Sequence, residues 1–334
     1  MKIVKFGIAT MTNKIKILGL SLAFISQFSF AGAIKDISLT GDCNVEFATL
    51  NTVKVSNLDI SEPEPNGGPS GNNLLENGPY NASECVGIYS GNDSVQTANN
   101  IGELGDGFLN GESSVLTGYE FIDGMVDGAL NPWFDGDPMD IDGDTIATDP
   151  GWINLAKFDT STGGTNYNKI ESYDGTKSLH ISDVLELTFS CSGSDCESIN
   201  WTLTTDIDIA DTVREVLDRS TFDHLAFVAK AGSHKEDQGW AIYDFNFYEI
   251  FGNEALNGNG VFDFETAYSL SGSINVKYNK NANDKIGDFS AGLSHLSVWA
   301  RDPVGDEVTQ VPEPSTIALF GLSLLLIATR RKRL

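Results

Sequence analysis

Asp183-Val-Leu-Glu-Leu-Thr-Phe-Ser-Cys191 and, eight residues on, Ile199-Asn-Trp-Thr-Leu203 decide the fold of this chain. In the first, Leu185, Leu187 and Phe189 fall on one side and Glu186 and Thr188 on the other; in the second, Ile199, Trp201 and Leu203 alternate with Asn200 and Thr202. A period of two is the mark of a strand with one face buried. The link between them, Ser190 to Ser198, holds Gly193, Cys191 and Cys196, which predicts a tight hairpin pinned by a disulfide.

Working outward, the same texture recurs at His224 to Ala231, Gly239 to Phe251, Ser271 to Tyr278 and Leu293 to Arg301, each bounded by Gly, Asn or Asp. Within Trp240 to Ile250, the aromatic side formed by Tyr243, Phe245, Phe247 and Glu249 is expected in the core, opposite Ile242, Asp244, Asn246, Tyr248 and Ile250. Asp211 to Arg219 places Val213, Val216 and Leu217 at helical spacing and predicts one short surface helix. Upstream, Ile34 to Leu58 reads as short β-like runs and Ser61 to Ser83, rich in Gly, Pro, Asn and Glu, as a loop. Glu84 to Asp123 reads as weak strands with long turns. The expectation is an all-β, antiparallel β-sandwich of jelly-roll-like form.

Cys43, Cys85, Cys191 and Cys196 are the four cysteines, and their order suggests the pairs 43–85 and 191–196, with three connectivities formally open. Disulfides belong to an oxidising compartment. Export is written at the start of the chain: Lys14 and Lys16 precede the apolar run Ile17 to Ile25, and Ala31-Gly-Ala33 supplies small residues for cleavage, so residues 1–33 are expected to be a secretory signal peptide. Met11 is a second candidate start.

At the other end, Val311-Pro-Glu-Pro-Ser315 is followed by an uncharged run to Thr329, then by Arg330, Arg331, Lys332 and Arg333. At about 1.5 Å per residue the run makes a helix of roughly 22 Å, short against about 30 Å of hydrocarbon. It is expected to be a C-terminal transmembrane helix with a basic stop that stays on the cytoplasmic side. The prolines lack an N–H and bias their predecessors toward extended backbone, so an exposed peptide precedes the membrane. Pro63-Glu-Pro65 is the same tripeptide without an apolar helix after it.

This tripartite end, residues 311–334, closely resembles the PEP-CTERM sorting signal of exported proteins of Gram-negative bacteria. The resemblance implies recognition by a membrane-embedded exosortase after transit through the secretion machinery and inner membrane. It also implies a final place at the cell surface or in the extracellular polysaccharide matrix. Phe222 to Gly232 and Leu293 to Arg301 look similar to segments in the ectodomains of other such proteins, a likeness that carries no catalytic residue. Residues 34–310 then form the ectodomain.

Of 21 basic residues eight lie in the two terminal signals, and of 47 acidic ones only Glu313 does; the part between carries 13 against 46, a net of -33. Nucleic acid and anionic membrane surfaces are excluded as partners by that charge. The most acidic stretch runs from Asp135 to Asp149, where Asp140, Asp142 and Asp144 alternate as a candidate calcium site. It departs from an EF-hand loop, with Thr145 at the sixth position from Asp140 and Gly151 at the twelfth.

The four histidines, His180, His224, His234 and His295, have no ligand spacing to one another or to cysteine. No nucleophile elbow, P-loop or dinucleotide fingerprint is present. Two readings follow. The favoured one is a structural or adhesive surface protein without enzymatic activity or cofactor; the alternative is a calcium-dependent carbohydrate-binding protein or glycoside hydrolase. For the alternative, Glu186 and Glu249 are candidate strand carboxylates, and Trp133, Trp152 and Tyr173 candidate sugar-stacking rings.

Overall fold

The hairpin forms with Trp201 opposite Phe189, Leu203 opposite Leu187 and Ile199 opposite Cys191, and its turn is closed by the Cys191–Cys196 disulfide. In the computed structural model the described residues are 39, 42–62, 67–91, 93, 100–112, 115–116, 118, 120–121, 150–172, 174–193, 196–217, 222–231, 239–256, 266–276 and 292–301, the side chains of 253–256 excepted. The first strands are β1 (Ala48–Ser56), β2 (Pro69–Ser70), β3 (Tyr80–Asn81) and β4 (Glu84–Ser90). After the 3-10 turn Phe108–Asn110 come β5 (Trp152–Asp159), β6 (Gly164–Tyr167), β7 (Lys169–Glu171) and β8 (Ser178–His180). The hairpin is β9 (Leu185–Ser192) and β10 (Ser198–Thr205), followed by α1 (Ile209–Leu217), β11 (His224–Ala231) and β12 (Gly239–Asn246). The last elements are α2 (Phe247–Leu256), β13 (Tyr268–Asn275) and β14 (Leu293–Arg301).

Two six-stranded sheets result, with every pairing between named strands antiparallel. The back sheet runs β2-β1-β13-β10-β9, with β3 also on β1; the front sheet runs β4-β12-β11-β14-β5-β6. β7 and β8 make a separate pair. Alternation puts Leu50, Trp201, Leu203 and Ile274 of the back sheet against Phe227, Tyr243, Phe245, Leu296 and Val298 of the front sheet in one core. Trp201 stands 4.7 Å from the Phe227 ring and Phe189 4.7 Å from Phe158, so the sheets meet through aromatic contacts. Cys43, just ahead of β1, is bridged to Cys85 on β4, and the Cys43 N–H donates to the Gly87 carbonyl. That bond staples the back sheet's first strand to the front sheet's edge.

β11 and β12 depart from the half-buried pattern, because every one of their residues is buried. Their second face, with Ala226, Val228, Trp240 and Ile242, joins Trp152 and Trp299 in a second core, roofed by Phe108, Leu109, Leu116 and Phe121. The expected weak strands after residue 100 are therefore a correction among the described residues: this segment is a turn-rich cover, with no partner strand. Asp106 folds it by accepting the N–H groups of Asn100, Ile101 and Gly102. Asn110 then ties it to β5, donating to the Trp152 carbonyl at 2.7 Å and accepting the Trp152 N–H at 3.0 Å.

The helix expected at Asp211 to Arg219 is α1, begun slightly earlier and burying Val213 and Leu217. A second helix corrects the expected strand through Phe251. The Asn246 side chain accepts the N–H groups of Tyr248 (2.9 Å) and Glu249 (3.3 Å), and an amide that caps two N–H groups starts a helix where alternation alone continues the strand. No helix among the described residues is long and apolar enough to cross a membrane. The expected span Ser315 to Thr329 lies outside the described residues.

Candidate functional site

The back sheet turns its second face outward, and small polar side chains pave it in rows across four strands. One row is Thr49, Ser273, Asn200 and Ser190; the next is Thr52, Ser271, Thr202 and Thr188; a third is Lys54, Ser269, Thr204 and Glu186. The hydroxyls pair across β1 and β13, Thr49 with Ser273 at 2.8 Å and Thr52 with Ser271 at 2.6 Å, and Thr204 pairs with Ser269 at 3.0 Å. Asn200, Thr188, Ser190 and Glu186 are exposed, the central hydroxyls half-buried among their neighbours, and Thr204 and Ser269 buried. Neighbouring strands lie about 4.8 Å apart, so such rows form a regular lattice of donors and acceptors. Among its twelve positions only Lys54 and Glu186 are charged.

The second face of the front sheet holds two buried polar clusters. At one end His224 Nδ1 and Asp244 Oδ2 are 2.7 Å apart, and Asp223 Oδ2 lies 3.9 Å from His224 Nε2. Arg301 donates from Nη1 to Asp223 at 2.8 Å and from Nε to the Pro150 carbonyl at 3.0 Å. All four side chains are at most 2% exposed. Burial pushes the His224 imidazole pKa down, but the Asp244 and Asp223 carboxylates outweigh it and hold it above the usual value. Burial raises the Asp244 carboxyl above its usual range, against the pull of the His224 charge and hydrogen bond.

At the other end His295 Nε2 lies 2.6 Å from Asp93 Oδ2, while Lys230 Nζ lies 3.7 Å from Asp93 Oδ1 and donates to the Gly91 carbonyl. Sequence spacing missed both clusters because their members are brought together only by strand register, His224 beside Arg301 and Lys230 beside His295. Among the described residues no group of three or more His, Cys, Asp or Glu side chains is placed to hold a metal ion.

Of the residues singled out in the sequence, Trp152 is 1% exposed, 6.1 Å from the Phe121 ring and 6.0 Å from His224; it is core and offers no face to a sugar. Glu186 is exposed on β9, in the back sheet, whereas Glu249 is on α2 after the front sheet's β12. The two are not carboxylates of neighbouring strands, because the Asn246 cap removes Glu249 from the ladder. Trp133, Tyr173, Asp140, Asp142 and Asp144 lie outside the described residues, as do Val311 to Ser315 and Arg330 to Arg333.

Comparison with known proteins settles the chain's end. Residues 310–333 match the family described as the PEP-CTERM protein-sorting motif. The chain carries a PEP-CTERM sorting signal. This signal implies an exported protein, sorted by an exosortase toward the cell envelope or surface. No curated protein and no solved structure matches the chain.

Proposed function

We propose that the domain between the signals is a surface or matrix protein without enzymatic activity, held to extracellular polysaccharide by the hydroxyl-paved face of its back sheet. The observation that carries this reading is the pair of outward rows Thr49-Ser273-Asn200-Ser190 and Thr52-Ser271-Thr202-Thr188. Polysaccharides present dense hydroxyls, and an ordered array of side chains that both donate and accept matches them without a charge. The strongly acidic chain repels polyanions, so the reading selects neutral polymers. The chain passes from the back sheet (β1) to the front (β4 to β6), returns (β9, β10), crosses (β11, β12), returns (β13) and crosses again (β14). We read that winding as jelly-roll-like.

Retention of the purified exported domain on an immobilised neutral polysaccharide is the test. The variant Thr52→Ala/Thr202→Ala/Thr188→Ala should stay folded, at a lower melting temperature, and lose retention when assayed well below that melting temperature; equal retention would remove this face from the reading. The reading needs no cofactor, so added calcium leaves melting unchanged. A calcium-dependent rise would move attention to Asp140, Asp142 and Asp144, since a ligand that binds only the native state raises its stability. Sorting is tested separately in the native host. Replacing Pro312, Glu313 and Pro314 with alanine should leave a full-length C-terminus in the inner membrane, whereas the unaltered chain loses residues near the motif and reaches the surface. The same full-length, membrane-held chain in both strains would reduce Ser315 to Leu334 to an anchor.

A further inference from the structure

We propose that Lys230 and Asp93 are joined by a side-chain amide bond that forms spontaneously within the folded domain. The two residues come from separate parts of the front sheet. Asp93 follows β4 at the edge, Lys230 is on β11 two strands in, and the intervening strand β12 places Trp240 directly beside Lys230. The bond therefore straps the chain after β4 across β12 onto β11.

The geometry is that of reacting partners more than of an ion pair. Two buried opposite charges normally close to about 2.7–2.9 Å. Here Nζ stands 3.7 Å from Oδ1, and Oδ1 is buried with no hydrogen-bond partner. The Asp93 side chain is 1% exposed and that of Lys230 7%, so water does not compensate either charge. A desolvated lysine beside an electrophilic carbon is an activated nucleophile. Burial pushes the Lys230 pKa down by more than the Asp93 carboxylate pulls it up, so the ammonium gives up its proton more readily than a solvated lysine does. Burial pushes the Asp93 carboxyl the other way, but the His295 hydrogen bond and the nearby positive charges outweigh it and hold it below the usual range. The acid form must therefore be made by proton transfer from the lysine itself.

The step balances without an outside reagent. One ammonium proton passes from Nζ to Oδ1, giving an amine and a carboxylic acid. The amine attacks the Asp93 carboxyl carbon, and the developing negative charge on Oδ2 is held by His295 Nε2, donating from 2.6 Å. A second proton leaves nitrogen for Oδ1, the C–Oδ1 bond breaks, and water departs. The product keeps every contact worth keeping. Its N–H donates to the Gly91 carbonyl, as Lys230 does now, and its oxygen accepts from His295. The unpartnered oxygen is the one that leaves.

The test is a peptide map of the exported protein after reduction of its disulfides. A branched peptide joining the Asp93 and Lys230 segments, lighter by one water than the two together, is the expected product, with Lys230 inert to amine-reactive reagents. Separate, unbranched peptides and a reactive Lys230 would overturn the proposal, and this readout needs no variant to fold. Lys230→Met should give only linear peptides. His295→Leu removes the donor to Oδ2, and most of its chains should stay unlinked; complete linkage would overturn the role given to His295.

Discussion

His224 shows how one side chain ties pH to folding. Its pKa lies above the usual value because two carboxylates outweigh burial, so the native state holds its proton more tightly than the unfolded chain. The stabilisation is fully present below the unfolded value of about 6.5 and is lost as pH rises through the higher native value. The melting temperature of the unaltered domain minus that of His224→Gln should thus fall between about pH 6 and the alkaline side of the native value. A difference that is flat across that range would mean that the buried imidazole is neutral throughout. Neither His224 nor Lys230 announced itself in the sequence. Asp223 is its chain neighbour, but Asp244 and Arg301 reach His224 only through the pairing of β11 with β12 and β14.

Among the elements, β13 is tightly confined at one glycine. It lies between β1 and β10, and a Cβ at Gly272 would fall 1.9 Å from the Thr49 carbonyl oxygen and 2.5 Å from the Trp201 ring. Trp201 lies directly over that glycine, its register partner. Gly272→Ala should destabilise the domain by about 1–3 kcal/mol, the usual cost of overpacking, read as a lower denaturant midpoint with an unchanged slope. An unchanged midpoint would place the Trp201 ring elsewhere. Strands marked by alternation or by an apolar run were legible: β9, β10, β11 and β14 lie where those patterns put them. β5 was not marked, since Trp152-Ile-Asn-Leu-Ala-Lys-Phe-Asp159 has its alternation broken by a bulge opposite Val298 and Trp299. The end of β12 was misread because a single amide, Asn246, converts a strand into a helix.

At the scale of the whole molecule, the Cys43–Cys85 bridge is the covalent tie between the sheets. It closes a loop of 42 residues, and the chain-entropy account gives about 4 kcal/mol for its loss. Cys43→Ser with Cys85→Ser should lower stability by that order in urea unfolding, while Cys191→Ser with Cys196→Ser, a separation of 5, should cost roughly 2 kcal/mol. Equal costs would argue against loop entropy as their source. Both pairs were legible from cysteine order, as was the sorting signal; the hydroxyl face was not, because its rows exist only once β1, β13, β10 and β9 are in register. The asymmetry of the two sheets also sets where this domain can change over generations. A substitution in β11 or β12 must satisfy two packed layers at once, whereas the outward positions of β9 answer to none. In a saturation library selected for secretion alone, accepted residues should therefore cluster at Glu186, Thr188 and Ser190 and thin out along β11 and β12, so that folding holds the front sheet still while the back sheet's outward positions answer to binding alone.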